Sequence, residues 1–156
     1  MHRTAWVGLL AFLADRLSKQ LASEWLQPGA SVALINGALH FTYTQNTGMA
    51  FSILADRTWL LIVFSMAALV LLTCALRRAL NPSTFHNALL WLLLAGGIGN
   101  LADRLFFGYV VDFIHIQLPF MPVFNVADMC LTASAALLAI TLVRSPGAKK
   151  NNDATA

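Results

Sequence analysis

The fold is decided by WLLIVFSMAALVLLTCAL, residues Trp59–Leu76. This stretch has no charged side chain, and Arg57 lies just before it while Arg77 and Arg78 follow it. An apolar helix of this length crosses roughly 30 Å of hydrocarbon. Over the whole chain, 58% of the residues are hydrophobic and 11% are charged, whereas soluble domains are about a quarter charged. The sequence therefore predicts a membrane protein.

Three further stretches are predicted to cross the membrane, which gives four crossings. Most of their length is uncharged, and each is long enough to span. The predicted spans are residues 4–25, 58–76, 85–104 and 124–143. We predict a mainly α-helical membrane protein with a single domain over residues 1–144. The polar segment 145–156 is expected to be a disordered cytoplasmic tail.

The N-terminal span is the least regular of the four. Its apolar run ends at Asp15, Arg16 follows directly, and Lys19 comes one helical turn after Asp15. The helix can cross only if these side chains face a protein interior or the interface. A cleaved signal peptide is the alternative, but the charges interrupt the apolar core that such a peptide needs before its cleavage site.

The distribution of cations favours one orientation. With four crossings, six cations fall on one side of the bilayer, namely Arg3, Arg77, Arg78, Arg144, Lys149 and Lys150. Under the positive-inside rule, both termini then face the cytoplasm. The net charge of +3 is small and dispersed and does not indicate nucleic-acid binding. Neither Cys74 nor Cys130 has the spacing of a disulfide framework or a zinc site.

The two connections on the opposite side of the membrane show strand patterns. Asn36-Gly37 separates two alternating segments within residues 30–53, and Asn-Gly favours a type I′ hairpin turn. The second connection alternates over residues 114–118 before two prolines, so it either lies beside the hairpin or forms a short interfacial segment. We predict a small extracytoplasmic antiparallel β-sheet and a short interfacial segment.

Polar residues of several segments reach one level near the outer interface. This follows from the 1.5 Å rise per helical residue and the alternating directions of the helices. The residues that converge there are Asp15, Asn100, Asp103, Arg104, Asp112 and Asp128. An acid at membrane depth costs about 2.5 to 3.5 kcal/mol on insertion, so such acids tend to serve a site, a relay or a buried pair.

Asp112 and Asp128 are the strongest catalytic candidates, since neither has an adjacent cation and both have apolar neighbours. If the fold brings them together, repulsion and desolvation let them share one proton, leaving one base and one acid. Such a pair can activate water against a peptide carbonyl. The sequence has no HExxH helix, Ser/His/Asp order or Gly-rich phosphate loop. A metal-free aspartyl hydrolase without a cofactor is therefore the reaction class that fits.

The other polar residues also have structural interpretations. Asp15 and Lys19 are four residues apart on a helix, which favours a local ion pair. Asp103 either belongs to the site or pairs with a neighbouring cation at a helix end. Gly96 favours close helix packing over contact with a ligand. Asn46 either terminates the hairpin strand or hydrogen-bonds a substrate peptide.

Five blocks of sequence carry a family resemblance. They are DRLSK at 15–19, NTGMAFS at 46–52, GGIGNLADR at 96–104, VVDF at 110–113 and FNVAD at 124–128. Together they resemble the bacterial lipoprotein signal peptidases, also called signal peptidase II, which form aspartyl peptidase family A8. Two features depart from the commonest pattern: Ser18, where threonine is usual, and the short connection between Asp112 and Asp128.

The resemblance implies an activity, a substrate and a site. It implies a membrane aspartyl endopeptidase, a target of globomycin, that removes signal peptides from prolipoproteins by cutting N-terminal to a cysteine bearing diacylglycerol. Asp112 and Asp128 are implied as the catalytic pair. The implied supporting and substrate-binding residues are Asp15, Asn46, Gly96, Asn100, Arg104 and Asn125. We expect a monomer in the bacterial inner membrane, with the active site at the extracytoplasmic face and no metal or cofactor.

Two other functions match part of the pattern. A proton-coupled carrier could relay charge through the aspartates, but it would have inverted repeats and broken helices, which we do not find in the sequence. An assembly factor would keep its function with neutral isosteres at Asp112 and Asp128.

In a peptidase of this family, the external segments near Phe51 and Leu118 are expected to close over the scissile bond.

Overall fold

A computed structural model of the chain describes residues 2–48, 57–81 and 83–144. Its elements in chain order are a short 3-10 helix (His2–Thr4), α1 (Ala5–Trp25), β1 (Ser31–Ile35), β2 (Leu39–Asn46), α2 (Thr58–Ala79), α3 (Thr84–Phe107), β3 (Val110–Ile116) and α4 (Val126–Arg144). The prediction of a mainly helical protein with a small antiparallel sheet is confirmed. The expected tail at 145–156, the hairpin region beyond residue 48 and Phe51 of the expected cover lie outside the described residues.

Three of the described helices, α2, α3 and α4, are long and apolar enough to cross a membrane. On α2, large apolar side chains are exposed along the whole helix, among them Trp59, Phe64 and Leu71. Such a surface is stable where lipid surrounds the helix, because the backbone polar groups of a helix are satisfied internally. These three helices are therefore candidate membrane spans.

Helix α3 lies at the centre and contacts α1, α2 and α4. Glycines permit the close contacts: a Cβ on Gly96 would lie 2.5 Å from the Ala127 carbonyl oxygen of α4. A Cβ on Gly8 of α1 would lie 2.8 Å from the Trp91 carbonyl oxygen of α3. Backbones that approach this closely gain van der Waals contact, which stabilises helix association in lipid.

Two apolar clusters complete the packing. The larger lies between α2, α3 and α4 and consists of Leu76, Leu80, Leu89, Leu90, Leu93 and Leu138. The smaller lies between α1 and the sheet and consists of Ala22, Tyr43, Val111 and Phe113. The second cluster anchors the sheet to the helices, so the strands have a fixed position relative to the end of α3.

The sheet is antiparallel with strand order β1-β2-β3. Because β3 pairs with β2, the second connection lies beside the hairpin, which was one of the two arrangements left open by the sequence. In the register of these strands, Thr44 pairs with Asp112 and Asn46 pairs with Val110. The end of β2 therefore lies next to Asp112.

The prediction of a type I′ turn in the hairpin is wrong. That turn requires a positive φ at both central residues, but Gly37 has a φ of 72° and Asn36 is not among the residues with positive φ. The Ala38 amide donates to the Ile35 carbonyl oxygen (3.0 Å). Ile35 pairs with Leu39 after an irregularity in the register, so the loop has one residue more than a type I′ hairpin.

The ends of the helices define two levels. The Thr58 hydroxyl at the start of α2 donates to the carbonyl oxygen of Gly108 (2.9 Å), which follows the last residue of α3. Gly108 has a φ of 81°, a left-handed conformation that ends the helix. The start of α2, the end of α3 and the sheet thus share one end of the molecule.

Candidate active site

Asn125 and Asp128 form a reciprocal cap at the start of α4. The Asp128 amide donates to Asn125 Oδ1 (2.9 Å), and the Asn125 amide donates to Asp128 Oδ2 (3.3 Å). This is the capping-box arrangement, which satisfies two backbone donors at a helix N-terminus. Because a backbone N–H fixes Asn125 Oδ1, the Nδ2 of the same side chain faces the opposite way.

Asp112 lies on β3 and is only 2% exposed. Its Oδ1 accepts a hydrogen bond from Asn125 Nδ2 (2.6 Å), and its Oδ2 accepts one from Asn46 Nδ2 (2.9 Å). Asn46 is held in turn, since its Oδ1 accepts from the Gly48 amide (3.0 Å). Asn46 thus ends the strand, as one interpretation of the sequence proposed, and also fixes the Asp112 carboxyl group.

Asp128 is half-buried and is held from α3. Its Oδ1 accepts a hydrogen bond from Asn100 Nδ2 (2.6 Å). Asn100 Oδ1 accepts from Asn125 Nδ2 (3.2 Å) and from Lys19 Nζ (2.9 Å). Three asparagines therefore hold the two acids, and Asn125 contacts both of them.

Both acids line one cavity of about 670 Å³. Its other walls come from the end of β2, the end of α3, the segment before α4, and α4 itself. The lining residues on α4 run from Asp128 to Ala136, a distance of about 12 Å along a helix axis. The carboxyl groups thus lie at one end of a groove whose remaining wall on α4 is mostly apolar.

The environment of Asp112 favours its protonated form. Burial raises the pKa of Asp112 from its usual 3.8 to about 6, against the hydrogen bonds from Asn46 and Asn125, which lower it. The charge of Asp128 contributes to this rise in the pKa of Asp112. Two carboxyl groups that interact in this way hold one proton more readily than none, which suits acid and base roles.

A compact charge cluster lies behind the asparagines and consists of Asp15, Arg16, Lys19 and Asp103. Arg16 contacts Asp15 (2.8 Å) and Asp103 (2.6 Å), and Lys19 contacts the same two acids at 3.0 and 2.8 Å. Two acids and two cations balance one another, which allows burial in an apolar surrounding. The cluster joins α1 to α3.

Asp15 also joins α1 to α4. Its Oδ1 accepts a hydrogen bond from the Ala127 amide (2.9 Å), and its Oδ2 accepts from Lys19. The predicted ion pair between Asp15 and Lys19 is therefore present. Asp103 pairs with the cations of α1, which was one of its two sequence interpretations. Arg104, beside it, instead lines the cavity and donates to the Gly48 carbonyl oxygen (3.0 Å).

The structure divides the residues implied by the sequence into two groups. The residues that line the cavity or hold a carboxyl group in it are Asn46, Asn100, Arg104, Asp112, Asn125 and Asp128. Gly96 lies at the α3–α4 contact and Asp15 lies in the charge cluster. Among the described residues, no group of three or more His, Cys, Asp or Glu side chains could hold a metal ion.

Lys19 is the residue whose contact with the site the sequence reasoning missed. The sequence predicts a pair with Asp15 for this residue, and in the structure its ammonium group also contacts Asn100, which binds Asp128. The spacing indicates part of this, because Lys19 lies one helical turn after Asp15 and therefore on the same face of α1. The spacing does not indicate which side chain of α3 this face contacts.

Comparisons with known proteins agree on one family. The family model described as signal peptidase (SPase) II matches residues 7–144. A protein of Syntrophomonas wolfei described as lipoprotein signal peptidase is 38% identical, with 94% of this chain and 95% of the relative covered. A relative of the same description from Moorella thermoacetica is 35% identical, with 90% and 93% covered.

Solved structures agree with the fold as well. One, described as a bacterial membrane enzyme, matches with a TM-score of 0.82 at 26% identity, covering 99% of this chain and 96% of its own. A second with the same description matches with a TM-score of 0.76 at 27% identity, covering 92% and 94%.

Proposed function

The chain belongs to the signal peptidase II family, and on this basis we propose that Asp112 and Asp128 catalyse its removal of signal peptides from prolipoproteins. Membership makes the protein a bacterial membrane peptidase of the aspartic type. The observation that carries the proposal is that both carboxyl groups line one cavity and are held by the same residue, Asn125. No other pair of acids among the described residues lines that cavity.

The proposed reaction is attack by a water molecule on the scissile carbonyl. The ionised carboxylate takes a proton from the water, and the protonated partner gives its proton to the carbonyl oxygen. The tetrahedral diol then collapses: the C–N bond breaks, and the leaving amine takes up the proton that the base received. A hydroxyl of the diol returns its proton to the other carboxylate as the new carboxyl group forms. Each turnover returns the pair to its singly protonated state, so no metal or cofactor is needed in this scheme.

The supporting residues have distinct roles in this scheme. Asn46 and Asn125 orient Asp112, and Asn100 orients Asp128, which keeps both carboxyl groups aimed at the cavity. Arg104 presents a cation within electrostatic range of both acids. The two remaining implied residues, Asp15 and Gly96, act at a distance, since they fix the position of α4.

The groove along α4 is proposed to hold the signal helix of the substrate. Its apolar wall suits a hydrophobic segment, and the acids lie at the end where the sheet covers the helices. A cysteine that bears diacylglycerol would keep its acyl chains in lipid, which brings the preceding peptide bond to this level. The cut would then fall on the N-terminal side of that cysteine.

We further propose that α1 is the fourth membrane span of a single domain over residues 1–144. Its charged side chains Asp15 and Lys19 are buried, while Leu9, Leu13 and Leu17 are exposed on the outer side. This distribution is inverted relative to a soluble helix and suits lipid. With four crossings of the inner membrane, both termini are cytoplasmic and the sheet and acids are extracytoplasmic.

A monomer is the simplest assembly, because one chain contributes every proposed catalytic residue. The substrates are diacylglyceryl-prolipoproteins presented by the membrane itself. The scheme requires no nucleic acid and no protein partner.

The test is cleavage of a lipidated precursor by purified enzyme in lipid vesicles. Asp112→Asn and Asp128→Asn should each abolish cleavage, because an amide can neither take up nor release the proton. Glu24→Gln is the matched control, since Glu24 is exposed on α1 and its carboxyl group accepts a hydrogen bond from the exposed Gln20. Full activity of either aspartate variant would refute the assignment, provided that thermal unfolding shows a folded protein.

A further inference from the structure

Lys19 is the one cation of the charge cluster that also contacts the active site. Its side chain is only 3% exposed, and its ammonium nitrogen has three acceptors: Asp103 Oδ2 (2.8 Å), Asn100 Oδ1 (2.9 Å) and Asp15 Oδ2 (3.0 Å). Three acceptors match the three protons of an ammonium group. Lys19 is thus held as a cation and directs one of its protons toward Asn100.

Asn100 passes the effect of that charge to Asp128. Its Oδ1 accepts from the ammonium, and its Nδ2 donates to Asp128 Oδ1 over 2.6 Å. A cation at the oxygen of an amide polarises the group, so its N–H becomes a stronger donor. A stronger donor stabilises the ionised form of the carboxyl group that accepts from it.

The two acids of the pair differ in this respect. Asp128 is the third residue of α4, where the partial positive charge of the helix N-terminus favours a carboxylate. Asp112 lies on a strand, and its two donors are the amides of Asn46 and Asn125. The oxygens of these amides accept from the backbone N–H groups of Gly48 and Asp128 and not from a cation. The polarised donor and the helix terminus both act on Asp128.

We infer that Lys19 is a positioning residue that holds Asp128, through Asn100, as the ionised member of the catalytic pair and leaves the shared proton on Asp112. This inference rests on the proposed function of the two aspartates. In the reaction, Asp128 then takes the proton from water, and Asp112 gives its proton to the carbonyl oxygen.

The charged groups around Asp128 come from three elements. They are Asp15 and Lys19 from α1, Arg104 from α3, and Asp112 from β3. Asp103 of α3 contacts Lys19. Asp15 and Asp103 are already paired with Arg16 and Lys19. Loss of Lys19 therefore removes a positive charge near Asp128 and weakens the Asn100 donor. Both changes favour the protonated form of Asp128.

The test is the pH profile of kcat/KM for Lys19→Met with a lipidated precursor in vesicles. Without the cation, Asp128 binds a proton more readily, so the acid-side midpoint of the profile should move up by about one pH unit. KM should change little, because Lys19 does not line the groove. Lys19→Arg, which keeps the charge, should return the midpoint toward that of the parent enzyme.

Arg16→Met is the matched control. Arg16 pairs with the same two acids as Lys19, but its hydrogen bonds go to Asp15, Asp103 and the Gly99 carbonyl oxygen and not to Asn100. Its loss should lower thermal stability and leave the acid-side midpoint in place. A midpoint that moves equally in both variants would overturn the inference in favour of a general loss of charge.

Lys19→Gln covers the case in which Lys19→Met does not fold, since it keeps two hydrogen-bond donors and removes the charge. The same upward movement of the midpoint is expected. An unchanged midpoint in a folded, active neutral variant would overturn the role of Lys19 and leave the catalytic pair intact. Full activity of Asp128→Asn would instead remove the proposed function and this inference together.

Discussion

Replacing Asp112 with asparagine should change how the stability of the protein depends on pH. Burial raises the pKa of Asp112 from 3.8 to about 6 in the folded protein. A raised pKa means that the carboxyl group favours folding fully below pH 3.8 and that this contribution is lost as the pH rises through 6. Since one pKa unit corresponds to about 1.4 kcal/mol, the loss amounts to about 3 kcal/mol.

Asparagine at this position has no such titration but introduces a mismatch. Both oxygens of Asp112 accept from amide donors, Asn125 Nδ2 and Asn46 Nδ2, and neither amide can rotate without losing a backbone partner. One donor of the pair then faces the new NH₂ group, which costs about 1 to 3 kcal/mol. A protonated Asp112 avoids this mismatch, because its hydroxyl oxygen keeps a lone pair for the amide.

The variant should therefore be less stable than the parent near pH 4 and equally or more stable near pH 8. Thermal unfolding in detergent, followed by tryptophan fluorescence at a series of pH values, measures the difference. For a chain of this size, about 3 kcal/mol means that the Tm difference between variant and parent should change by about 10 °C from pH 4 to pH 8. A difference that stays constant over this range would refute the raised pKa. Glu24→Gln, which replaces an exposed acid, should differ from the parent by the same number of degrees in Tm at every pH.

Two further substitutions test the supporting structure. Gly96→Ala should destabilise the protein by about 1 to 3 kcal/mol, because the new Cβ would lie 2.5 Å from the Ala127 carbonyl oxygen. Gly97→Ala is the control and should cost less, because the nearest atoms to its new Cβ belong to the Leu69 side chain. Equal Tm values for the two variants would contradict the close contact at Gly96. Asn125→Ser keeps a residue favoured at helix N-termini but is too short to cap α4 and hold Asp112 together. Cleavage should fall by about 100-fold, and the Tm should fall by several degrees because the buried Asp112 carboxyl group loses a donor. Parent-like activity would argue against this role.

The sequence predicted the parts of the fold that depend on composition and short-range pattern. Long apolar runs gave the helices, and alternation on both sides of Asn36-Gly37 gave the hairpin. The turn type was wrong because the choice between a two-residue and a three-residue loop depends on the strand register. That register is set by the pairing of β2 with β3 and by packing under the sheet, which no local pattern records.

The candidate site was predictable in its members more than in its connections. The level at which the polar residues converge follows from helix rise and direction alone, and family blocks implied Asn46, Asn100 and Asn125. Their contacts were not predictable, because each asparagine has a donor and an acceptor end whose direction depends on neighbours from other elements. Asn125 shows this best, since it caps α4 with its oxygen and holds Asp112 with its nitrogen.

The charges of the site favour one protonation state of the catalytic pair beside lipid. The charge cluster has two acids and two cations, so its net charge is zero. The cavity adds Arg104, Asp112 and Asp128. With both aspartates ionised, the cavity has a net charge of −1, and with both protonated it has +1. Only the singly protonated pair is neutral. Because burial of net charge in a low-dielectric surrounding is costly, the fold itself selects the state that the proposed reaction requires.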